Sequence, residues 1–136
     1  MSMTKNISFL LFAVTLLSLY SCKNEFSTPP RITYIAPQDT TNKSFFINTP
    51  IALKASLYDK TGLASLKVKI YSNWKKSAVF LDSEQNLNGV EAFELDNTFV
   101  IDTLINYPKA TYIIDLQVTD VDGNLAKRSE IISLKP

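Results

Sequence analysis

The sequence predicts an all-β fold, a sandwich of about seven short strands, and three observations carry that prediction. Apolar residues recur with a period of two through most of the chain beyond residue 30. Pro37, Pro50 and Pro108 fall between the alternating segments and not inside them. No amphipathic stretch of helix length competes.

The elements follow in order. Arg31–Ala36 is a first strand candidate. Ile51, Leu53, Ala55 and Leu57 alternate with Ala52, Lys54, Ser56 and Tyr58, so one face meets a core and the other meets water. Leu66, Val68 and Ile70 alternate with Lys67, Lys69 and Tyr71 in the same way. Ala78–Leu81 and Phe99–Ile105 are shorter candidates, Glu91–Leu95 is ambiguous, and Ser83–Ala92 reads as an irregular loop. Tyr112, Ile114, Leu116 and Val118 alternate with Ile113, Asp115, Gln117 and Thr119. Ala126–Leu134 closes the set without clean alternation. The three glycines, Gly62, Gly89 and Gly123, sit in turn-like contexts. Short strands with turns at this spacing argue for an immunoglobulin-like sandwich over residues 31–136. In that topology Tyr112 stands where a tyrosine hydroxyl bonds back to the preceding corner. Ile114 stands where antibody domains place a cysteine.

Composition narrows the chemistry. The 136 residues are 46% hydrophobic and 20% charged, an ordinary globular balance. Fourteen Lys and Arg against thirteen Asp and Glu leave no basic field for nucleic acid. With no histidine and one cysteine, His acid–base catalysis, a Cys–His pair, an intrachain disulfide and a Cys/His zinc site are all excluded. No phosphate loop, nucleophile elbow or paired-carboxylate motif is visible, so the expectation is a protein that is not an enzyme.

Residues 1–21 read as an export signal. Lys5 precedes the apolar run Ile7–Tyr20, which is too short to span a bilayer and has no polar face to fit a core helix. Leu19-Tyr20-Ser21-Cys22 resembles a bacterial lipobox, in which the cysteine is acylated and becomes the first mature residue; Tyr20 departs from the small residue usual there. The alternative is ordinary cleavage leaving a free thiol. Residues 22–30, ending in Pro29-Pro30, would form a lipidated tether reaching at most about 28 Å when extended.

Two segments echo each other. Leu57-Tyr58-Asp59-Lys60-Thr61-Gly62 resembles Val118-Thr119-Asp120-Val121-Asp122-Gly123, a strand leaving through an aspartate with a glycine three residues on. In an immunoglobulin-like sandwich these exits share one end, which would bring Asp59, Asp120 and Asp122 together, with Asn124 as a further oxygen donor. Hard cations use such oxygens, so calcium is the one cofactor the sequence raises; otherwise none is expected. The competing reading is that each aspartate caps its own turn. The calcium-loop pattern also fails in detail, because Gly123 follows Asp122 directly and no glutamate closes the loop. Tyr58, Tyr71 and Trp74 are candidate stacking surfaces for sugar, Trp74 being otherwise expected at the edge of the core. Lys75-Lys76 reads as a solvated loop.

The charged Lys23-Asn24-Glu25 after the cysteine resembles the export context of Bacteroidota lipoproteins. The strand-then-Asp-Gly-Asn segment Asp120–Leu125 is similar to cadherin-like and bacterial immunoglobulin-like modules. That resemblance implies an outer-membrane lipoprotein on the periplasmic or surface face. It would be anchored by its N-terminal lipid and act as a non-catalytic binding or accessory module with a protein partner in the envelope. The alternative it leaves is a carbohydrate-binding accessory lipoprotein. Fold alone decides neither.

Overall fold

Six strands make up the computed structural model, which describes residues 28–37, 44–106 and 110–136. They are β1 (Arg31–Ala36), β2 (Ser44–Phe46), β3 (Ile51–Ser72), β4 (Val79–Phe99), β5 (Thr111–Asp120) and β6 (Leu125–Lys135). The expected signal, Cys22 and Pro108 lie outside the described residues.

Two of these strands are long enough to serve both layers of a sandwich. The first half of β3 pairs antiparallel with β1, Arg31 opposite Tyr58 and Tyr34 opposite Ala55. On its other side it pairs with the second half of β4, Ile51 opposite Phe99 and Tyr58 opposite Ala92. The second half of β3 pairs with β5, from Leu63 opposite Asp120 to Ser72 opposite Tyr112. It also pairs with the first half of β4, where Tyr71 lies opposite Val79. β5 then pairs antiparallel with β6, and β6 takes β2 in parallel. One layer is therefore β1–β3–β4 and the other β4–β3–β5–β6–β2, an immunoglobulin-like sandwich whose layers share a bent hairpin.

The bend is built from glycine. Between Tyr58–Ala92 and Leu63–Val90, residues 59–62 of β3 face the single residue Glu91, a wide bulge that turns the chain from one layer into the other. Gly62 has φ 114°, and a Cβ there would stand 2.5 Å from the carbonyl oxygen of Gly89. Gly89 itself has φ 76°. Such φ values exclude most L side chains, and the approach of the two backbones excludes any Cβ on Gly62.

Inside, the alternating residues meet as their period requires. Leu53, Ala55 and Leu57 of the first layer face Leu66, Val68 and Ile70 of the second, with Ile114, Leu116, Val118, Ile132 and Leu134 completing one cluster. Each fully buried aliphatic side chain contributes roughly 1.5–3 kcal/mol. Ile114 is fully buried, so aliphatic packing fills the place where a cysteine would cross-link the layers. The Tyr112 ring is buried edge-on against Phe80. Its hydroxyl donates to the Thr103 carbonyl at 2.6 Å and accepts from the Ile105 amide at 3.0 Å, which pins the 101–106 connection to the start of β5.

Four expectations need correction. Ser83–Ala92 is not a loop: with Glu91–Leu95 it belongs to the continuous strand β4, whose register with β3 holds through polar residues. The Gly62 and Gly89 contexts are not chain reversals but the bend within β3 and β4. Beyond Phe99 the chain leaves the sheet, and buried Ile101 plugs the core from an irregular segment that accepts the Asn48 amide. The short strand β2 was not anticipated, because three residues, Ser44–Phe46, carry too little pattern to read.

Gly62→Ala is expected to destabilise the protein by more than about 2 kcal/mol, through the left-handed φ and the clash with Gly89. Gly123→Ala, whose Cβ would meet nothing within 4 Å, should cost less. Paired urea unfolding curves measure the difference.

Candidate functional site

The two aspartate segments meet at the bend. The Val121 amide donates to the Gly62 carbonyl at 2.9 Å, and Asp120 lies opposite Leu63 in the β3–β5 ladder. Asp59 and Asp120 are both buried. Each carboxylate, however, is spent on its own turn. One Asp59 oxygen accepts from the Thr61 amide at 2.7 Å and from its hydroxyl at 2.6 Å. The two oxygens of Asp120 accept separately from the Asn124 amide and from its side-chain NH2, both at 2.7 Å. Asn124 thus enters the site as a donor to Asp120. Asp122 is exposed on the turn. Among the described residues no group of three or more His, Cys, Asp or Glu is placed to hold a metal ion. The hydrogen bond from the Thr61 hydroxyl, aided by the Thr61 and Gly62 amides, holds the Asp59 carboxyl below its ordinary range against the opposing effect of burial.

The aromatic candidates do not form one platform. Tyr58 is 50% exposed on the first layer, opposite Arg31 and Ala92. Tyr71 lies in the second layer, beyond the bend. Trp74 stands in the turn between β3 and β4 and is 70% exposed, so it does not sit at the edge of the core. Lys75 and Lys76 are exposed in the same turn. The Ser72 hydroxyl, buried below, accepts the Lys75 amide at 3.1 Å and fixes the turn's conformation.

Sequence reading missed Asp115. It lies at an outward position of β5 yet is only 5% exposed, because its neighbours cover it. The Ser129 hydroxyl donates to it at 2.6 Å, the Tyr71 hydroxyl at 3.2 Å, and the Lys127 ammonium stands 3.3 Å away. Burial first, and then the Asp115 charge, push the Tyr71 phenol above its ordinary value. The available signal was weak: an aspartate among polar outward residues, distinguished only by which strands flank it.

A third feature is an edge. Among the described strands, β4 is hydrogen-bonded to β3 alone along its 21 residues, so its other margin is unpaired in both layers. It carries Asp82, Glu84, Glu91, Glu94 and Asp96 and no Lys or Arg. Lys54 pairs with Asp96 at 2.9 Å, Lys67 and Lys69 reach Asp82 at 3.6 and 3.9 Å, and the Ser56 hydroxyl donates to Glu94.

No protein-family model matches the chain, and no curated protein does. Among solved structures it is similar to the CARDB domain of a Pyrococcus furiosus protein in complex with di-metal ions. The identity is 15%, the TM-score 0.42, and the match covers 78% of this chain and 90% of that one. It is also similar to murine CRIg, at 12% identity and a TM-score of 0.40, covering 79% and 98%. The fold assignment rests on the strand pairing described above.

Two outcomes test the aspartate corner. Melting temperatures with millimolar calcium and with EDTA should coincide, since a bound ion would raise the melting point by mass action. The depressed pKa of Asp59 contributes stability that is complete above the ordinary value of 3.8 and lost as pH falls through the lower folded value. Asp59→Asn should therefore flatten the acid limb of the stability profile below about pH 4, measured by unfolding at stepped pH.

Proposed function

We propose that the protein is a non-catalytic binding module, held at the cell envelope by a lipid on Cys22, which pairs an extended segment of a partner protein along the free margin of β4. The observation that carries this reading is the 21-residue strand bonded on one side only among the described residues. An unpaired margin offers backbone N–H and C=O groups to an incoming strand, and pairing of that kind supplies affinity without a pocket. Five carboxylates along β4, of which Asp82 and Asp96 are paired with lysines of β3, leave the strand acidic on balance and favour a basic segment. The aspartate corner is a poorer candidate, because the Asp59 and Asp120 carboxylates are already satisfied within it.

The start of β1 sets where such an anchor would attach. Arg31 pairs with Tyr58, next to the bend, so a tether of residues 22–30 would leave from that end. The turn carrying Trp74 lies at the far end of the second layer. An outer-membrane lipoprotein of Bacteroidota type would hold the bend toward the bilayer and leave the β4 margin accessible. No helix among the described residues is long and apolar enough to cross a membrane. One acyl chain holds only marginally, and the two or three chains of such lipoproteins make attachment durable. A second reading, a carbohydrate-binding accessory lipoprotein, is favoured by one observation, the 70% exposure of Trp74 three residues from Tyr71.

Capture from solubilised envelope with the full-length protein should recover a stoichiometric partner. Glu91→Lys/Glu94→Lys should lower recovery at least about tenfold, a loss of roughly 1.4 kcal/mol. Recovery of no partner, or equal recovery by the variant, would overturn the pairing. Mass spectrometry of the native protein should find Cys22 acylated, and Cys22→Ser should leave the protein in the soluble fraction. Retardation of the protein in polysaccharide-containing gels, lost in Trp74→Ala, would instead favour the sugar reading.

A further inference from the structure

The register across the second layer places its outward side chains in rows. Val79, Tyr71, Ile113 and Ile131 lie opposite one another on four successive strands, β4, β3, β5 and β6. Val79 and Ile131, at the two ends of this row, are 42% and 46% exposed. An apolar row therefore crosses the solvent face of a sheet, where alternation predicts polar residues. The next row toward the bend reads Asp82, Lys69, Asp115, Ser129, and the one after it Glu84, Lys67, Gln117, Lys127.

From these rows we propose that the outward face of the second layer is a contact surface for a second copy of this chain, joined about a two-fold axis parallel to the strands and running between β3 and β5. Such an axis exchanges β4 with β6 and β3 with β5 while keeping each row at its own level. Val79 then meets Ile131 of the other copy and Tyr71 meets Ile113, apolar on apolar. Glu84 meets Lys127, Lys67 meets Gln117 and Asp82 meets Ser129, while Lys69 passes over Asp115, whose carboxylate is already covered by Ser129, Tyr71 and Lys127 of its own chain. No like charges face each other in any row. A face that is complementary to its own reversal is what a two-fold contact needs, since residue i touches j and j touches i.

Two further features select this occupant. Edge-to-edge association of two copies through β4 is opposed by the acidic residues along that strand. The axis parallel to the strands also keeps both bends, and so both Arg31 ends, on the same side. On the anchor reading above, two tethered copies could therefore meet without either leaving the membrane. The charge and apolar rows stand without that reading. Four strands at about 4.8 Å and three rows at about 6.8 Å give a patch roughly 15 Å across, about 200 Å² per copy and well under the roughly 800 Å² per partner of a standard interface, so the contact is a weak, transient one.

A zero-length carbodiimide cross-link on the full-length protein in detergent tests the geometry. A covalent dimer is expected, with Glu84 of one copy joined to Lys127 of the other. Within one copy these residues are three strand spacings apart, about 14 Å, beyond the reach of the reagent. Ile131→Asp and Val79→Asp, both at exposed positions, should each reduce the Glu84–Lys127 link at least about tenfold, with circular dichroism unchanged. Cys22→Ser should leave it intact, so failure of the anchor reading is separable from failure of this one. Absence of a dimer, cross-links confined to other positions, or a Glu84–Lys127 yield indifferent to both substitutions would overturn the proposal.

Discussion

Everything in this sandwich depends on the approach of Gly62 to Gly89. Because neither residue carries a side chain, the β3 and β4 backbones fold over together and stay hydrogen-bonded on both sides of the bend. The same two strands then line both layers, and the alternation along β3 delivers Leu53 and Leu57 to one side of the core and Leu66 and Ile70 to the other. A second register shift, between Leu63 and Ser65, moves the inward set of β3 from odd-numbered to even-numbered residues, so that apolar residues point inward on both sides of the bend. Any other residue at Gly62 would have to separate the strands or straighten the hairpin.

The bend also shapes the electrostatics. The carboxylates of Asp59 and Asp120 sit where two chain segments change direction, and each satisfies amides that the sheet no longer pairs. A cation there would have to compete with those hydrogen bonds. On the outward face, Asp115 is handled differently: a hydroxyl and an ammonium from β6 and a phenol from β3 converge on it. The acidic residues of β4 complete the pattern, facing the lysines of β3 on one side and solvent on the other.

What the sequence reveals divides along physical lines. Strands with one buried face announce themselves, which is why the two halves of β3, and β5, are legible residue by residue. The Tyr112 corner is legible because its position at the start of β5 is fixed by the fold. The neighbourhood of Asp59 and Asp120 follows from strand direction alone. β4 is hidden for the opposite reason: at an edge around a bend, few of its side chains are buried, Leu87 and Leu95 among them, so no period emerges. The position of Trp74 is decided by the turn conformation that Ser72 fixes, which parity along β3 does not reach. The row Val79–Tyr71–Ile113–Ile131 is invisible in one dimension, because each member is a single outward residue until four registers align them.

Sharing two strands between the layers also governs how the molecule comes apart. In a sandwich whose layers are joined only by loops, one sheet can loosen while the other holds. Here neither sheet can open without unzipping a strand that runs on into its partner, so the lowest-energy excursions are confined to the margins, β1 and β2. The hairpin turn at Trp74 brings β3 and β4 together over a short sequence separation, at little loop-closure entropy, and the pair it closes already contains a template for both sheets. Cooperativity is thereby written into connectivity: shared strands couple the two layers, so their amide protons should exchange on a common clock.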